Sequence, residues 1–177
     1  MFRPDTWVMS YENFTSWKAE PAADRPEISV VIPAYNEAQR IVPTIAATAA
    51  HLARAGESFE IIVSDDGSSD GTVAMVRLLG LRNVRVLGPD VNRGKGAAVK
   101  AGVLAATGNY VLVTDADLST PIAHVDAMLA EARRGTPVVI GSRAHEEATE
   151  QNRSAVRRTC SGAVSYTHLT LPTILLV

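Results

Sequence analysis

Five short apolar runs, separated by stretches of helix length, constrain the fold of this chain more than any single motif. Ile28-Ser29-Val30-Val31-Ile32 is β-branched and nearly continuous, and it stops at Pro33 and Asn36. Similar runs lie at 59–64, 84–87, 110–114 and 138–140. Continuous rather than alternating apolar character marks strands buried on both faces, as in a parallel sheet. The intervening stretches carry helix signals. A helix is expected at 43–55, closed by Gly56, with Asn36 as a possible cap and Pro43 in an early turn. Another is expected at 70–79, capped by Asp70 or Ser69 and ended by Gly80. The alanine-rich segment 94–106 and the segment 121–134, which opens on Pro121 and is followed by Gly135, complete the set. Strand and helix in alternation predict an α/β domain with a mostly parallel, Rossmann-like sheet covered on both faces. In such sheets ligands bind beyond the carboxyl ends of the strands.

Composition narrows the function. The 177 residues suffice for one domain with a real core, and 46% apolar with 20% charged residues is an ordinary globular balance. A formal net charge of −2 gives no electrostatic footprint for nucleic acid. The single cysteine, Cys160, excludes an intramolecular disulfide and offers no metal-site spacing. No apolar stretch approaches a membrane span, and Asp5, Glu12, Lys18 and Glu20 break up any signal-peptide core, so a cytoplasmic location is the expectation.

Residues 1–27 read as an N-terminal extension. Trp7, Tyr11, Phe14 and Trp17 recur at roughly helical spacing, which suits a short packed helix or a weak interfacial one. From Thr159 onward there is no Asp, Glu, Lys or Arg, and no strand or helix pattern continues. Val164-Ser165-Tyr166-Thr167-His168-Leu169-Thr170-Leu171-Pro172-Thr173 resembles a recurrent read-through tail of assembled environmental sequences. The expectation is a partial, C-terminally truncated domain at 28–162 and a non-native tail at 163–177, with a natural hydrophobic C-terminus as the alternative.

The polar clusters fall at strand ends. Asp115 and Asp117, one residue apart after the run 110–113, can point the same way and hold a divalent cation. Oxygen ligands suit Mg2+ or Mn2+, which would neutralise charge growing on a departing diphosphate. Asp65-Asp66-Gly67-Ser68-Ser69-Asp70 forms a second acidic turn, where a carboxylate can accept hydrogen bonds from a nucleobase or ribose and Asp70 serves the helix start. Glu37 either faces the nucleotide or stabilises its own helix by the dipole. Arg93-Gly94-Lys95-Gly96 offers cations and permissive backbone before a helix, but it is not a P-loop. Arg143, after the fifth run, offers a fork of donors for phosphate. His51 and His124 read as surface or packing residues, and the serines lack a histidine partner for nucleophilic catalysis.

Taken in order, these blocks resemble the family-2 glycosyltransferases of the GT-A (nucleotide-diphospho-sugar transferase) fold, especially the polyprenyl-phosphate sugar transferases. The resemblance is carried by 29–37, the 65–72 run, Asn92-Arg93-Gly94-Lys95-Gly96, the stretch 114–121 and Val139-Ile140-Gly141-Ser142-Arg143. It implies that Pro33, Tyr35, Glu37 and Asp66 line a nucleotide pocket, with Asp65 and Lys95 beside it. It further implies that Asp115, Ala116 and Asp117 meet ribose, metal and diphosphate, and that Asp117 and Arg143 act at the reacting phosphates. Ser119-Thr120-Pro121 looks more like dolichyl-phosphate β-glucosyltransferases than mannose-phosphate synthases, so UDP-glucose is favoured over GDP-mannose.

The implied reaction is inverting transfer of a hexose to a polyprenyl phosphate at the cytoplasmic face of a membrane. A phosphate acceptor, with a second pKa of about 6, is already ionised at neutral pH and needs no strong base. The alternatives are a transferase directed to a hydroxyl acceptor and an inactive nucleotide-binding fragment. A sugar-phosphate nucleotidyltransferase would need a Gly-rich loop where this chain has Ala34-Tyr35-Asn36-Glu37.

Overall fold

A computed structural model describes residues 25–89, 91–141 and 174–176. The expected N-terminal helix, Arg143 and most of the suspected tail lie outside these residues. The described elements run β1 (Ile28–Ala34), α1 (Ile41–Arg54), β2 (Phe59–Asp65), α2 (Thr72–Leu79), β3 (Val84–Leu87), α3 (Lys95–Ala105), β4 (Tyr110–Val113), α4 (His124–Arg133), β5 (Val138–Ile140) and β6 (Ile174–Leu176). All pairings are parallel, and the sheet order is β3-β2-β1-β4-β6-β5. The five expected strands are present. The sixth, whose backbone inserts between β4 and β5, is three apolar residues long and offered no pattern to read.

β1 is central because every one of its residues is buried. Its alternation splits the core in two. Ile28, Val30 and Ile32 face a cluster completed by Ile41, Ile45, Ala49 and Leu52 of α1, Val76 of α2, and Val125, Met128 and Leu129 of α4. Val31 faces the other side, with Ile62, Val111, Val113 and Val103 of α3. The α1 residues recur at three- and four-residue spacing, which gives that helix one apolar face. α3 reaches the sheet through its small residues. A Cβ on Gly102 would lie 2.3 Å from Val31 Cγ1, so only glycine permits this approach.

Helix starts differ from expectation. α1 begins at Ile41 rather than 43, because Pro43 falls within the first turn, where backbone N–H groups lack intrahelical acceptors anyway. Asn36 caps nothing in its own helix. It adopts φ +56° and its Oδ1 accepts from Ser69 N at 2.9 Å and Asp70 N at 3.3 Å. In return Asn36 N donates to Ser68 Oγ, Glu37 N to Thr72 Oγ1 and Ala38 N to Asp70 Oδ2. The loops after β1 and β2 are thereby laced together. α4 starts at His124, three residues after Pro121, with a turn between them.

The chain runs from β1 outward to β2 and β3, then returns to place β4 on the other side of β1. This reversal opens a crevice between the carboxyl ends of β1 and β4.

Candidate active site

The crevice is a cleft of about 330 Å3. Pro33, Ala34, Tyr35 and Glu37 line it from the end of β1, and Asp115, Ala116 and Asp117 from the end of β4. Asp66, Asn92, Gly94, Lys95 and Ala98 close the third side. Seven of the residues singled out from the sequence therefore converge together with Ala116. Tyr35 is half exposed, so its ring offers an open face on the rim.

The two acidic clusters play different parts. Asp65 is 5% exposed and does not line the cleft. Its Oδ2 accepts from Gly67 N at 3.1 Å and Ser68 N at 2.9 Å, which closes the turn, while Oδ1 is buried without a hydrogen-bond partner. Asp65, expected beside the nucleotide, thus stands outside the cleft lining, with one carboxylate oxygen engaged by its own turn. Asp66 does border the cleft, yet its Oδ1 accepts from Arg93 N and its Oδ2 from Gly94 N, both at 2.8 Å. It fixes the loop that delivers Lys95. Asp70 serves α2 as expected, accepting from Thr72 N at 2.9 Å, and its pKa is lowered chiefly by the Thr72 hydroxyl.

Asp115 and Asp117 are held more loosely. Asp115 Oδ1 lies 2.6 Å from Lys95 Nζ. Asp117 Oδ1 accepts from Ser119 N at 2.9 Å across a turn in which Leu118 adopts φ +51°. Burial pushes the Asp117 carboxyl upward, but hydrogen bonds from Ser119 and the positive charge of Arg40 outweigh it and hold its pKa below the ordinary 3.8. The carboxylate is ionised at neutral pH.

Two positioning groups were not singled out in the sequence. Thr44, buried in α1, donates its hydroxyl to the Ala116 carbonyl at 2.6 Å and so pins the turn between the two aspartates. A threonine inside an apolar helix is the available signal, but its partner lies far away in sequence. Arg40 pairs with Glu37 at 2.7 Å and reaches Asp117 with its field, so it joins the two strand ends electrostatically. His51 is a packing residue, bonded to Asp126 at 2.8 Å between α1 and α4.

The donor set fits a hard divalent cation. Asp115 and Asp117 supply oxygen only, and among the described residues no cluster of three or more His, Cys, Asp or Glu is arranged to hold a metal. Such a site suits Mg2+ or Mn2+, which keep several ligands from water and substrate phosphate. Asp115 is paired with the Lys95 ammonium at 2.6 Å.

A family model described as "Glycosyl transferase family 2" matches residues 29–173. The chain belongs to glycosyl transferase family 2. The family-2 domain is 38% identical over 141 residues to "Dolichyl-phosphate beta-glucosyltransferase ALG5C" of Trichomonas vaginalis, covering 72% of this chain and 42% of that protein. It is 40% identical over 136 residues to the dolichyl-phosphate beta-glucosyltransferase of Drosophila melanogaster, covering 68% and 42%. This chain thus spans under half the length of the curated relatives it matches. Among solved structures, S. aureus TarS (residues 1–349) superposes with a TM-score of 0.50 at 22% identity, over 71% of this chain and 38% of that one. That likeness supports the GT-A-type fold.

Proposed function

We propose that this family-2 domain is the donor-binding part of an inverting transferase that moves glucose from UDP-glucose to a polyprenyl phosphate. The observation that carries the reading is the meeting of Asp115, Asp117, Lys95 and the exposed Tyr35 ring in one cleft at the switch point of the sheet. The glucosyl group and the lipid-phosphate acceptor follow the names of the dolichyl-phosphate relatives and of an undecaprenyl-phosphate 4-deoxy-4-formamido-L-arabinose transferase from Salmonella, 35% identical over 121 residues, and UDP as the carrier is part of the proposal.

In this reading Pro33 and Tyr35 flank the nucleobase, with Glu37 next to the ribose. Asp115 and Asp117 would hold Mg2+ or Mn2+, which supplies charge neutralisation for the departing diphosphate. Lys95 and the first N–H groups of α3 face the same anion. Ser119 and Arg40 keep Asp117 ionised, and Thr44 keeps the two carboxylates in register. Asp66 holds the loop on which Lys95 is mounted, and Arg143 clamps a phosphate. The acceptor phosphate, with a second pKa of about 6, attacks the anomeric carbon as the carbon–diphosphate bond breaks, without help from a protein base. No helix among the described residues is long and apolar enough to cross a membrane, and in this reading the domain works peripherally at a cytoplasmic membrane face.

The test is direct. UDP-glucose should bind the chain in a Mn2+-dependent manner and more tightly than GDP-mannose, as measured by calorimetry. Equal or metal-independent binding of the two would remove the donor assignment. A second reading is transfer to a hydroxyl acceptor in polysaccharide synthesis; one match, 41% identical over 98 residues, is a "Succinoglycan biosynthesis protein ExoO" of Rhizobium meliloti. Incubating the enzyme with UDP-glucose and dolichyl phosphate and assaying for a glucolipid separates the two.

A further inference from the structure

Lys95 occupies a position that local physics disfavours. It is the first residue of α3, whose first turn holds no acidic side chain, so the helix dipole repels its ammonium. The salt bridge to Asp115 is short, at 2.6 Å, but both side chains are open to solvent, at 66% and 43% exposure. An exposed pair of this kind adds little to stability. Lys95 is nonetheless mounted on a rigid support: the N–H groups of the two preceding residues, Arg93 and Gly94, are gripped by the buried Asp66 carboxylate. A firmly built backbone thus carries a lysine across a cleft to one of the two carboxylates that suit a divalent cation.

We propose that Lys95 is an exchangeable counter-ion. It neutralises Asp115 while the cleft is empty, and it gives up that carboxylate to a divalent cation when a diphosphate is present to receive the ammonium. Two cations compete for Asp115, and the diphosphate relieves the competition by offering Lys95 a second anionic partner beside the N-terminus of α3. Metal and nucleoside diphosphate therefore bind synergistically, each strengthening the other by the same factor. Metal alone binds poorly because it must displace a resident charge. The inference rests on the reading of the cleft as a nucleotide-sugar site and adds an order of events to it.

The experiment measures Mn2+ binding to the full chain by electron paramagnetic resonance, with and without UDP, in the wild type, Lys95→Met and Lys95→Arg. Lys95→Met should bind Mn2+ alone about fivefold more tightly, the upper end of what an exposed ion pair contributes. In the same variant the strengthening of Mn2+ binding by UDP should fall about tenfold, within the usual range of coupling between sites. Lys95→Arg should keep the wild-type pattern, because it keeps the charge. Circular dichroism checks that both variants fold, as expected for an exposed side chain at a helix start. If the wild type shows UDP-dependent Mn2+ binding but Lys95→Met binds Mn2+ alone no better, counter-ion exchange is overturned while the nucleotide-sugar reading stands. If the wild type binds no Mn2+ with or without UDP, both are overturned.

Discussion

Asp65-Asp66 and Asp115-Ala116-Asp117 look alike in sequence, each an acidic group at the end of a buried strand, yet the fold uses them oppositely. The first pair is 5% and 3% exposed, and three of its four carboxylate oxygens accept backbone N–H groups. The second pair reaches solvent and is restrained by one lysine and one adjacent turn. A buried carboxylate gripped by fixed backbone donors, as Asp66 is through both oxygens, builds a site, whereas one held by an exposed side chain is free to change partners. The lesson is that ligand-binding capacity resides in acceptors that reach the cleft, not in acidity.

The contrast breaks most sharply at Asp66. Asp66→Ala would orphan the N–H group of Arg93, leave Gly94 N only its bond to Asn92 Oδ1 at 3.1 Å, and release the loop before α3. Hydrogen bonds to a charged group are worth about 1.5–3 kcal/mol each, so the expected loss is about 3 kcal/mol after partial rehydration of the loop. Thermal or urea unfolding checks this. Asp117→Ala, by comparison, loses the bond from Ser119 N at an open turn and should cost about 1 kcal/mol or less. Equal destabilisation of the two variants would erase the distinction.

A second pair of substitutions asks how the open carboxylates are aimed. Thr44 and Thr48 lie one turn apart in α1, both buried, but Thr44 holds the Ala116 carbonyl while the Thr48 hydroxyl has no hydrogen-bond partner. Thr44→Val should cost about 2 kcal/mol by leaving that carbonyl unpaired, and it should weaken Mn2+–nucleotide binding as the aspartates lose register. Thr48→Val should be neutral or slightly stabilising. Identical unfolding midpoints for the two would show that the Thr44 bond does not position the site. Smaller in energy, Asp117→Ala should weaken metal-dependent UDP-glucose binding about tenfold, equivalent to 1.4 kcal/mol.

Much of this was legible from local pattern. The strands could be read because β-branched runs bounded by Pro, Gly and Asn reflect burial on both faces, and the sheet rule then gathered Tyr35, Asp66 and Asp115 on one rim. What escaped was non-local. Asn36 is a plausible helix cap until the second loop comes within reach of its side chain. Asp65 and Asp66 cannot be told apart without knowing that Arg93 and Gly94 fold back over only one of them. Thr44 acquires its role from a carbonyl 72 residues away. β6 is too short to show a period at all.

Glu60, near the amino end of β2, extends the comparison to the opposite end of the strands. Its Oε1 accepts from Ser29 Oγ at 2.6 Å, Thr107 N at 2.9 Å and Thr107 Oγ1 at 2.8 Å, and its Oε2 from Arg85 Nε at 3.1 Å. Burial raises the carboxyl's pKa, but these bonds overcome it and leave the folded value below the ordinary 4.5. The ionised form is therefore favoured by folding. Its contribution is complete above about pH 4.5 and disappears as pH falls through the lower folded value. Glu60→Gln should consequently be less stable than the wild type by about 1 kcal/mol at pH 7, within the range for a hydrogen-bonded network partly open to water. The gap should narrow on acidification below the ordinary value, and metal-dependent nucleotide binding at neutral pH should be untouched, since this saturated carboxylate lies at the end of the sheet remote from the cleft. A gap that stays constant from pH 7 to pH 3 would mean that the side chain's shape, not its charge, is what Ser29, Thr107 and Arg85 hold.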